Sequence, residues 1–184
     1  MKVIDNFVPS AYQDALKKTF LSPKFPWFFE DKTVLDNNYD VSDSYQFTHT
    51  FYYGNQQTSN FFPLVEPIQY HLMVSENIDT TRIIKVKANL NVKAVDKEST
   101  TYAPHTDCRG ADFSYITCIY YVNDSDGDTV LFDNDLNEIH RVQPKQGRLV
   151  YFDGNTLHAG HRPVEHDIRC ILNFNFERLE NNNA

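Results

Sequence analysis

Cysteine is scarce in this sequence: Cys108, Cys118 and Cys170 are the three in 184 residues. An odd number with no CxxC spacing excludes a disulfide framework and a zinc cage, and predicts reduced thiols. Positive charge is also short, with 17 Lys and Arg against 25 Asp and Glu, a formal net charge of -8. Such a surface repels phosphate backbones, so nucleic acid is not an expected partner. No apolar run approaches the ~18 residues of a transmembrane helix, and "MKVIDNFVPS" lacks the apolar core of a signal peptide. Cytoplasm is the expected compartment, with no membrane partner. Internal repeats and linkers are missing too, which predicts one domain over residues 1–184.

Aromatic residues are not scarce: 11 Tyr, 14 Phe and one Trp make 14 % of the chain. Flat side chains pack well on pleated surfaces, so the composition leans towards β-structure. The first 81 residues read as helical support and loops. Residues 3–8 suggest a strand, and Ser10 an N-cap for a helix carrying Tyr12, Leu16, Phe20 and Leu21 at helical spacing. Residues 30–60 show no clear period and read as loops with short strands. Leu64, Val65, Ile68, Leu72 and Met73 predict a second helix.

From residue 82 the chain changes. "RIIKVKANLNV", "SYITCIYYVN", "DTVLFD", "GRLVYFD" and "IRCILNFNF" are short β-branched and aromatic runs separated by turn-rich pieces. That punctuation predicts a sandwich or barrel over 82–178, with a frayed polar tail at 179–184. Alternation assigns faces. Arg169, Ile171, Asn173 and Asn175 share one side of the last strand; Cys170, Leu172, Phe174 and Phe176 share the other. Tyr115, Thr117, Ile119 and Tyr121 likewise oppose Ile116, Cys118, Tyr120 and Val122. The apolar faces should meet the helices, and the polar faces should line a wet cavity. An inward arginine at 169 is costly there without an anion.

Chemistry enters at "APHTDCRG". Residues i and i+2 of a strand point the same way, so His105 and Asp107 can aim a nitrogen and an oxygen at one point. A third ligand from a distant strand would complete a two-histidine, one-carboxylate facial triad, the set of non-haem Fe(II) oxygenases. Alone, the pair is weak. "NTLHAGHRP" offers His158 and His161 as the third ligand.

The ordered series "HTD…TCIYYVN…GDTVLF…PKQGRLVYFDGNTLHAG…IRCILNFNF" resembles the 2-oxoglutarate- and Fe(II)-dependent oxygenases, in particular the prolyl 4-hydroxylase-like group. "TCIYYVN" is similar to the matching strand of the hydroxylases that modify hypoxia-inducible factor. The resemblance spans residues 82–177. It implies a mainly β double-stranded β-helix, or jelly roll, behind supporting N-terminal α-helices. It implies Fe(II) held by His105, Asp107 and a distal histidine, with 2-oxoglutarate as cosubstrate and O2 as oxidant. Arg169 and Tyr121 would hold the distal carboxylate of 2-oxoglutarate. Thr117, Ile119 and Asn173 would line its pocket, and Asn91, or Asn89, would meet its other carboxylate. Parity favours His158 over His161, because a strand through "LHAGHR" turns His158, Gly160 and Arg162 one way and His161 the other.

The implied activity is hydroxylation of a prolyl or related residue in a peptide or protein. A free amino acid, another small molecule or a nucleobase is the alternative within the class, and a jelly-roll binding protein without chemistry the alternative outside it. Two histidine ligands must be neutral to bind metal, so activity should fall in mild acid. Other features take plainer readings. In "NDSDGDTVLFD", placing Gly127 at the sixth position of a calcium loop puts Val122 first and Asp133 twelfth, which fails the pattern; a tight turn fits better. Cys108 reads as structural and Trp27 as packing. Tyr102, Arg109 and Asp112 lie near the site mouth in sequence. His49, His71 and His140 lack metal-like company, and His166 reads as a solvated turn residue. Oligomeric state is not readable.

Overall fold

The computed structural model describes residues 1–31, 45–95, 102–108 and 110–178. The tail at 179–184, Arg109, most of the 93–101 loop and residues 32–44 of the 30–60 stretch lie outside the described residues. The elements are β1 (Lys2–Ile4), α1 (Ser10–Phe20), β2 (Phe28–Glu30), β3 (Gln46–Tyr53), β4 (Gln56–Gln57), α2 (Phe62–Glu76), β5 (Ile83–Val92), β6 (Tyr115–Tyr121), β7 (Thr129–Phe132), β8 (Glu138–Val142), β9 (Leu149–Asp153), β10 (Leu157–Gly160) and β11 (Ile168–Glu177).

The strands form two antiparallel sheets. The large one runs β1-β9-β6-β11-β5-β3-β2, with β4 on β3, and the small one runs β10-β7-β8. This is the mainly β jelly-roll core with two supporting helices that the resemblance implies. Alternation sorts the large sheet's side chains as expected. Ile116, Cys118, Tyr120, Val122, Cys170, Leu172, Phe174 and Phe176 pack with Leu16 and Phe20 of α1 and Val65, Ile68 and Leu72 of α2. Ile119, Tyr121, Val150, Phe152 and Ile171 turn the other way and meet Leu131 and Val142 of the small sheet. One sheet therefore separates an oily layer under the helices from a mixed layer that holds the site.

Three local expectations need correction. Pro9, not Ser10, is the N-cap of α1, and no side chain caps it; Pro9 already fixes an extended φ at the boundary. β1 stops at Ile4, because Asn6 adopts φ 50° and turns the chain. Within the stretch read as loops with short strands, residues 46–53 form a full eight-residue strand paired to β5. Its pattern is hard to read because Gln46 and Thr48 are buried polar residues and His49 and Phe51 fill the opposite face. β8 had no sequence signal, since four of its five residues are exposed. α2 ends at Asn77 in the left-handed conformation, φ 55°. No described helix is long and apolar enough to cross a membrane.

Candidate metal centre and cosubstrate pocket

The site lies where the small sheet meets the inward face of the large one. His158 sits on β10, and His105 joins it through an isolated antiparallel bridge with backbone hydrogen bonds of 3.0 and 2.9 Å. Asp107 is placed by the bend that follows the bridge, not by a continuing strand. One ligand atom from each of His105, Asp107 and His158 falls within 4.8 Å of the others. Nε2 of His158 is 3.5 Å from Oδ2 of Asp107, and the two imidazole rings are 4.8 Å apart. His161 lies outside this group; it is half-buried on the far side of the strand end, with its N–H on the Asp128 carbonyl at 2.7 Å.

The tautomers follow from the backbone. Nδ1 of His105 is 3.0 Å from the Ala103 carbonyl and Nδ1 of His158 is 3.1 Å from the Thr156 carbonyl. A carbonyl only accepts, so each Nδ1 carries a proton and donates it, and Nε2 is the nitrogen left to face a metal. Burial, then the neighbouring His158, lowers the pKa of His105 to about 4. Its imidazole is therefore neutral across the neutral range. Burial pushes Asp107 upward, but contact with His158 and the charge of Lys85 outweigh it and hold the carboxyl well below its ordinary value.

Asp107 is held by a ring of donors. Asn173 Nδ2 reaches Oδ1 at 3.0 Å and Oδ2 at 3.1 Å. Asn175 Nδ2 and Thr117 Oγ1 reach Oδ2 at 3.0 and 3.1 Å. Lys85 donates to the Asp107 carbonyl at 3.2 Å and lies 3.9 Å from Oδ1.

The cavity beside these ligands has an empty volume of about 500 Å³, partly open to solvent. Its far wall is Arg169, 2 % exposed. The guanidinium donates to the Gly127 carbonyl at 2.6 Å, Asn91 Oδ1 at 3.2 Å and Thr129 Oγ1 at 2.7 Å. All three acceptors are neutral, and among the described residues no carboxylate is within ion-pair distance. Two glycines make room for it. A Cβ on Gly127 would stand 2.9 Å from Arg169 Cδ and 2.4 Å from the His161 carbonyl; one on Gly160 would stand 3.3 Å from Arg169 NH1. Asn123 brackets the same residue, donating to the Ile168 carbonyl at 3.0 Å and accepting from Cys170 N–H at 2.8 Å.

Of the residues singled out from sequence, His105, Asp107, His158, Arg169, Ile119, Asn173, Asn91, Asn89 and Tyr102 line this cavity. Thr117 and Tyr121 stand behind its wall. Thr117 serves Asp107, and the Tyr121 hydroxyl is 2.8 Å from Thr129 Oγ1, the atom that also receives Arg169. Burial raises the Tyr121 pKa to about 12, so the phenol stays protonated. Asn175, Lys85, Lys87, Thr129 and Gln46 are site residues without an expected role. Alternation had already put Asn175 on the Arg169 face, and the same rule places Lys85 and Lys87 with Asn89 and Asn91.

The donor set fits a two-histidine, one-carboxylate iron site, and the buried, uncompensated guanidinium fits a carboxylate at the cavity's other end. Residues 90–177 match the family model of the 2OG-Fe(II) oxygenase superfamily. That segment, which holds every residue of the candidate metal centre, is a 2OG-Fe(II) oxygenase domain. It is a 2-oxoglutarate-dependent Fe(II) oxygenase, and it uses Fe(II), 2-oxoglutarate and O2.

Solved structures share its fold at low identity. A prolyl-4-hydroxylase from Pseudomonas putida superposes with a TM-score of 0.57 at 15% identity, covering 97% of this chain and 92% of that one. A Trichoplax adhaerens prolyl hydroxylase, solved with a hypoxia-inducible-factor peptide fragment, gives 0.60 at 14% identity, with coverage of 96% and 83%. HygX from Streptomyces hygroscopicus, solved with nickel and 2-oxoglutarate, gives 0.59 at 10% identity, with coverage of 95% and 81%. None of the curated proteins matches the oxygenase.

The remaining features are structural. Asp126 accepts from the N–H groups of Val164, Glu165 and His166, and Asp124 accepts from Gln146 N–H. Asp128 pairs with Arg141 at 3.3 Å. The acidic run is thus a turn that ties loops together. His49 lies 2.7 Å from both the Pro26 carbonyl and Ser59 Oγ, and Trp27 packs on Phe25. Cys108 is half-buried, its thiol pushed up by burial. Asp112 is exposed.

Proposed function

We propose that the oxygenase hydroxylates a prolyl or related residue in a peptide or protein. The observation that carries the assignment of roles is one cavity with the His105–Asp107–His158 set at one end and the uncompensated Arg169 at the other. In this reading His105, Asp107 and His158 hold Fe(II) and Arg169 receives the distal carboxylate of 2-oxoglutarate. Bound Fe(II), 2-oxoglutarate and O2 supply the oxidation of a C–H bond, with decarboxylation of 2-oxoglutarate to succinate. The protein's own part is placement. The Nδ1 bonds of both histidines aim Nε2 at the metal position. Asn173, Asn175 and Thr117 fix the Asp107 carboxylate. Tyr121 fixes Thr129, and Thr129 with Asn91 and Gly127 fixes the guanidinium fork. Ile119 and Ile171 supply apolar wall between the two ends, which keeps water from the chain of the cosubstrate.

The prolyl substrate is supported by the likeness in shape to two prolyl hydroxylases, one of them solved with a peptide. The test measures succinate release from 2-oxoglutarate with Fe(II), adding either proline-containing peptides or free amino acids. Peptides should stimulate release and leave with one extra oxygen atom on proline by mass spectrometry. Stimulation by free amino acids alone would move the assignment to a small-molecule oxygenase. Wild-type succinate output from the His105→Ala and Asp107→Ala variants would end the oxygenase reading altogether.

A further inference from the structure

The inward face of β5 carries four polar residues in sequence, Lys85, Lys87, Asn89 and Asn91, and the register against β11 fixes where each lies. Asn91 is opposite Arg169, Asn89 opposite Ile171, Lys87 opposite Asn173 and Lys85 opposite Asn175. Asn173 and Asn175 are the amides that hold Asp107. Lys87 therefore stands at the metal end of the cavity. Four residues of strand, about 13 Å, separate it from the Asn91 rung. A carboxylate held by Arg169 is out of its reach.

Lys85 is engaged by Asp107. Lys87 is not. It lines the cavity, and among the described residues no carboxylate comes within ion-pair distance of its ammonium. The acids nearest in charge are already engaged. Glu30 accepts from Gln46 at 3.2 Å and from Thr48 at 2.8 Å, and Asp107 faces its own ring of donors. A half-buried ammonium without a counter-ion is costly to keep. In a chain of net charge -8, general attraction will not bring an anion to the site. A cation in the wall is what admits one. The wall around it is polar, with Asn89 next along its own face and Asn173 opposite, and among the described residues Asn89 Oδ1 and Asn173 Oδ1 have no hydrogen-bond partner.

We infer that Lys87 selects the substrate: its ammonium receives a carboxylate of the molecule being oxidised, on the metal side of the cavity away from Arg169. The inference rests on the oxygenase reading above. The carboxylate belongs either to a free amino acid or to an acidic residue beside the target in a peptide, and both present the same group to Lys87.

The experiment uses the Fe(II)- and 2-oxoglutarate-loaded protein as wild type, Lys87→Met and Lys87→Arg, with matched probes that differ only in one charge. One set pairs free L-amino acids, proline included, with their amides. The other pairs proline peptides carrying Asp or Glu next to proline with the same peptides carrying Asn or Gln. At least one acid should exceed its uncharged partner by tenfold or more in kcat/KM for wild type and Lys87→Arg. In Lys87→Met the ratio should fall to within twofold, with melting curves showing that the variant folds. The set that responds identifies the source of the carboxylate. Equal acceptance of acid and amide, a preference that survives in Lys87→Met, or no response to any acid probe overturns the inference. So does a rise of more than tenfold in the KM for 2-oxoglutarate in Lys87→Met without added substrate, which would give Lys87 to the cosubstrate. If the wild type fails to convert 2-oxoglutarate at all, the oxygenase reading is what has failed. Calorimetric binding of the same probe pairs to the Zn(II)-loaded protein then decides on Lys87 by the same ratios.

Discussion

Nδ2 of Asn175 lies 3.0 Å from Oδ2 of Asp107 and 3.1 Å from Thr117 Oγ1. The amide thus ties the carboxylate of the candidate metal centre to the strand next door. Asn175 is fully buried and is not among the residues lining the cavity, so it acts on the metal site only through Asp107. Partners of ligands typically matter by ~10–100-fold in metal affinity. Asn175→Leu should weaken Zn(II) or Fe(II) binding in that range while the KM for 2-oxoglutarate, measured at saturating metal, stays near wild type. Unchanged metal affinity in a folded variant would reduce Asn175 to packing.

Arg169 should behave as a fork and not as a point charge. Its Nε and both terminal nitrogens are each committed, to Gly127, Asn91 and Thr129. Arg169→Lys keeps a charge but loses that orientation. A charge-assisted bond is worth ~1.5–3 kcal/mol, or about 10–150-fold in affinity. Both Arg169→Ala and Arg169→Lys should raise the KM for 2-oxoglutarate within that range, read in steady-state kinetics. Full function in Arg169→Lys would show that position-independent charge suffices.

Gly127 tests the same fork from its other side. Alanine there meets the His161 carbonyl at 2.4 Å and Arg169 Cδ at 2.9 Å. Backbone cannot retreat as a flexible side chain can, so overpacking of about 1–3 kcal/mol is expected. Gly127→Ala should lower the melting temperature and raise the KM for 2-oxoglutarate together. A loss of stability alone would mean that the guanidinium tolerates the shift.

The inward faces of β6 and β11 were legible because their opposite faces are purely apolar, and period-two alternation then leaves no choice for Arg169, Asn173 and Asn175. His158 was separable from His161 for the same reason. β3 was hidden because a strand with a wet cavity on one side and mixed residues on the other shows no hydrophobic rhythm. Asp107 does come to lie beside His105 and His158, but by a different route from the one expected. A bend after the His105–His158 bridge, not a continuing strand, delivers the carboxylate. The parts of Asn175, Lys85 and Lys87 depend on which strand β5 pairs with, and pairing is long-range information that a local pattern does not carry.

Acid should destabilise the metal-free protein in a defined window. His105 has a folded pKa of about 4 against an ordinary value of 6.5, lowered by burial and by His158. Between those values the unfolded chain binds the extra proton and the folded one does not, so stability falls as pH falls. The contribution is complete above about 6.5 and exhausted once pH has passed through the folded value. Asp126 acts in the same direction at lower pH. Burial raises its pKa, but the N–H groups of Glu165, His166 and Val164 outweigh this and leave it well below 3.8. Its share of stability is present above that value and is lost as pH falls further. The melting temperature of apo-protein should therefore decline from pH 7 towards pH 4. His105→Asn should flatten the upper part of the decline, and Asp126→Asn should change only the part below pH 4. A slope between pH 6.5 and 4 that is identical in His105→Asn and wild type would contradict a buried neutral imidazole at this position. The same low value sharpens the expectation for metal binding. His105 competes weakly for protons, so its own share of Zn(II) affinity should hold below pH 6.5 and weaken as pH approaches 4, measured by competition with a chelator at each pH in wild type and His105→Asn.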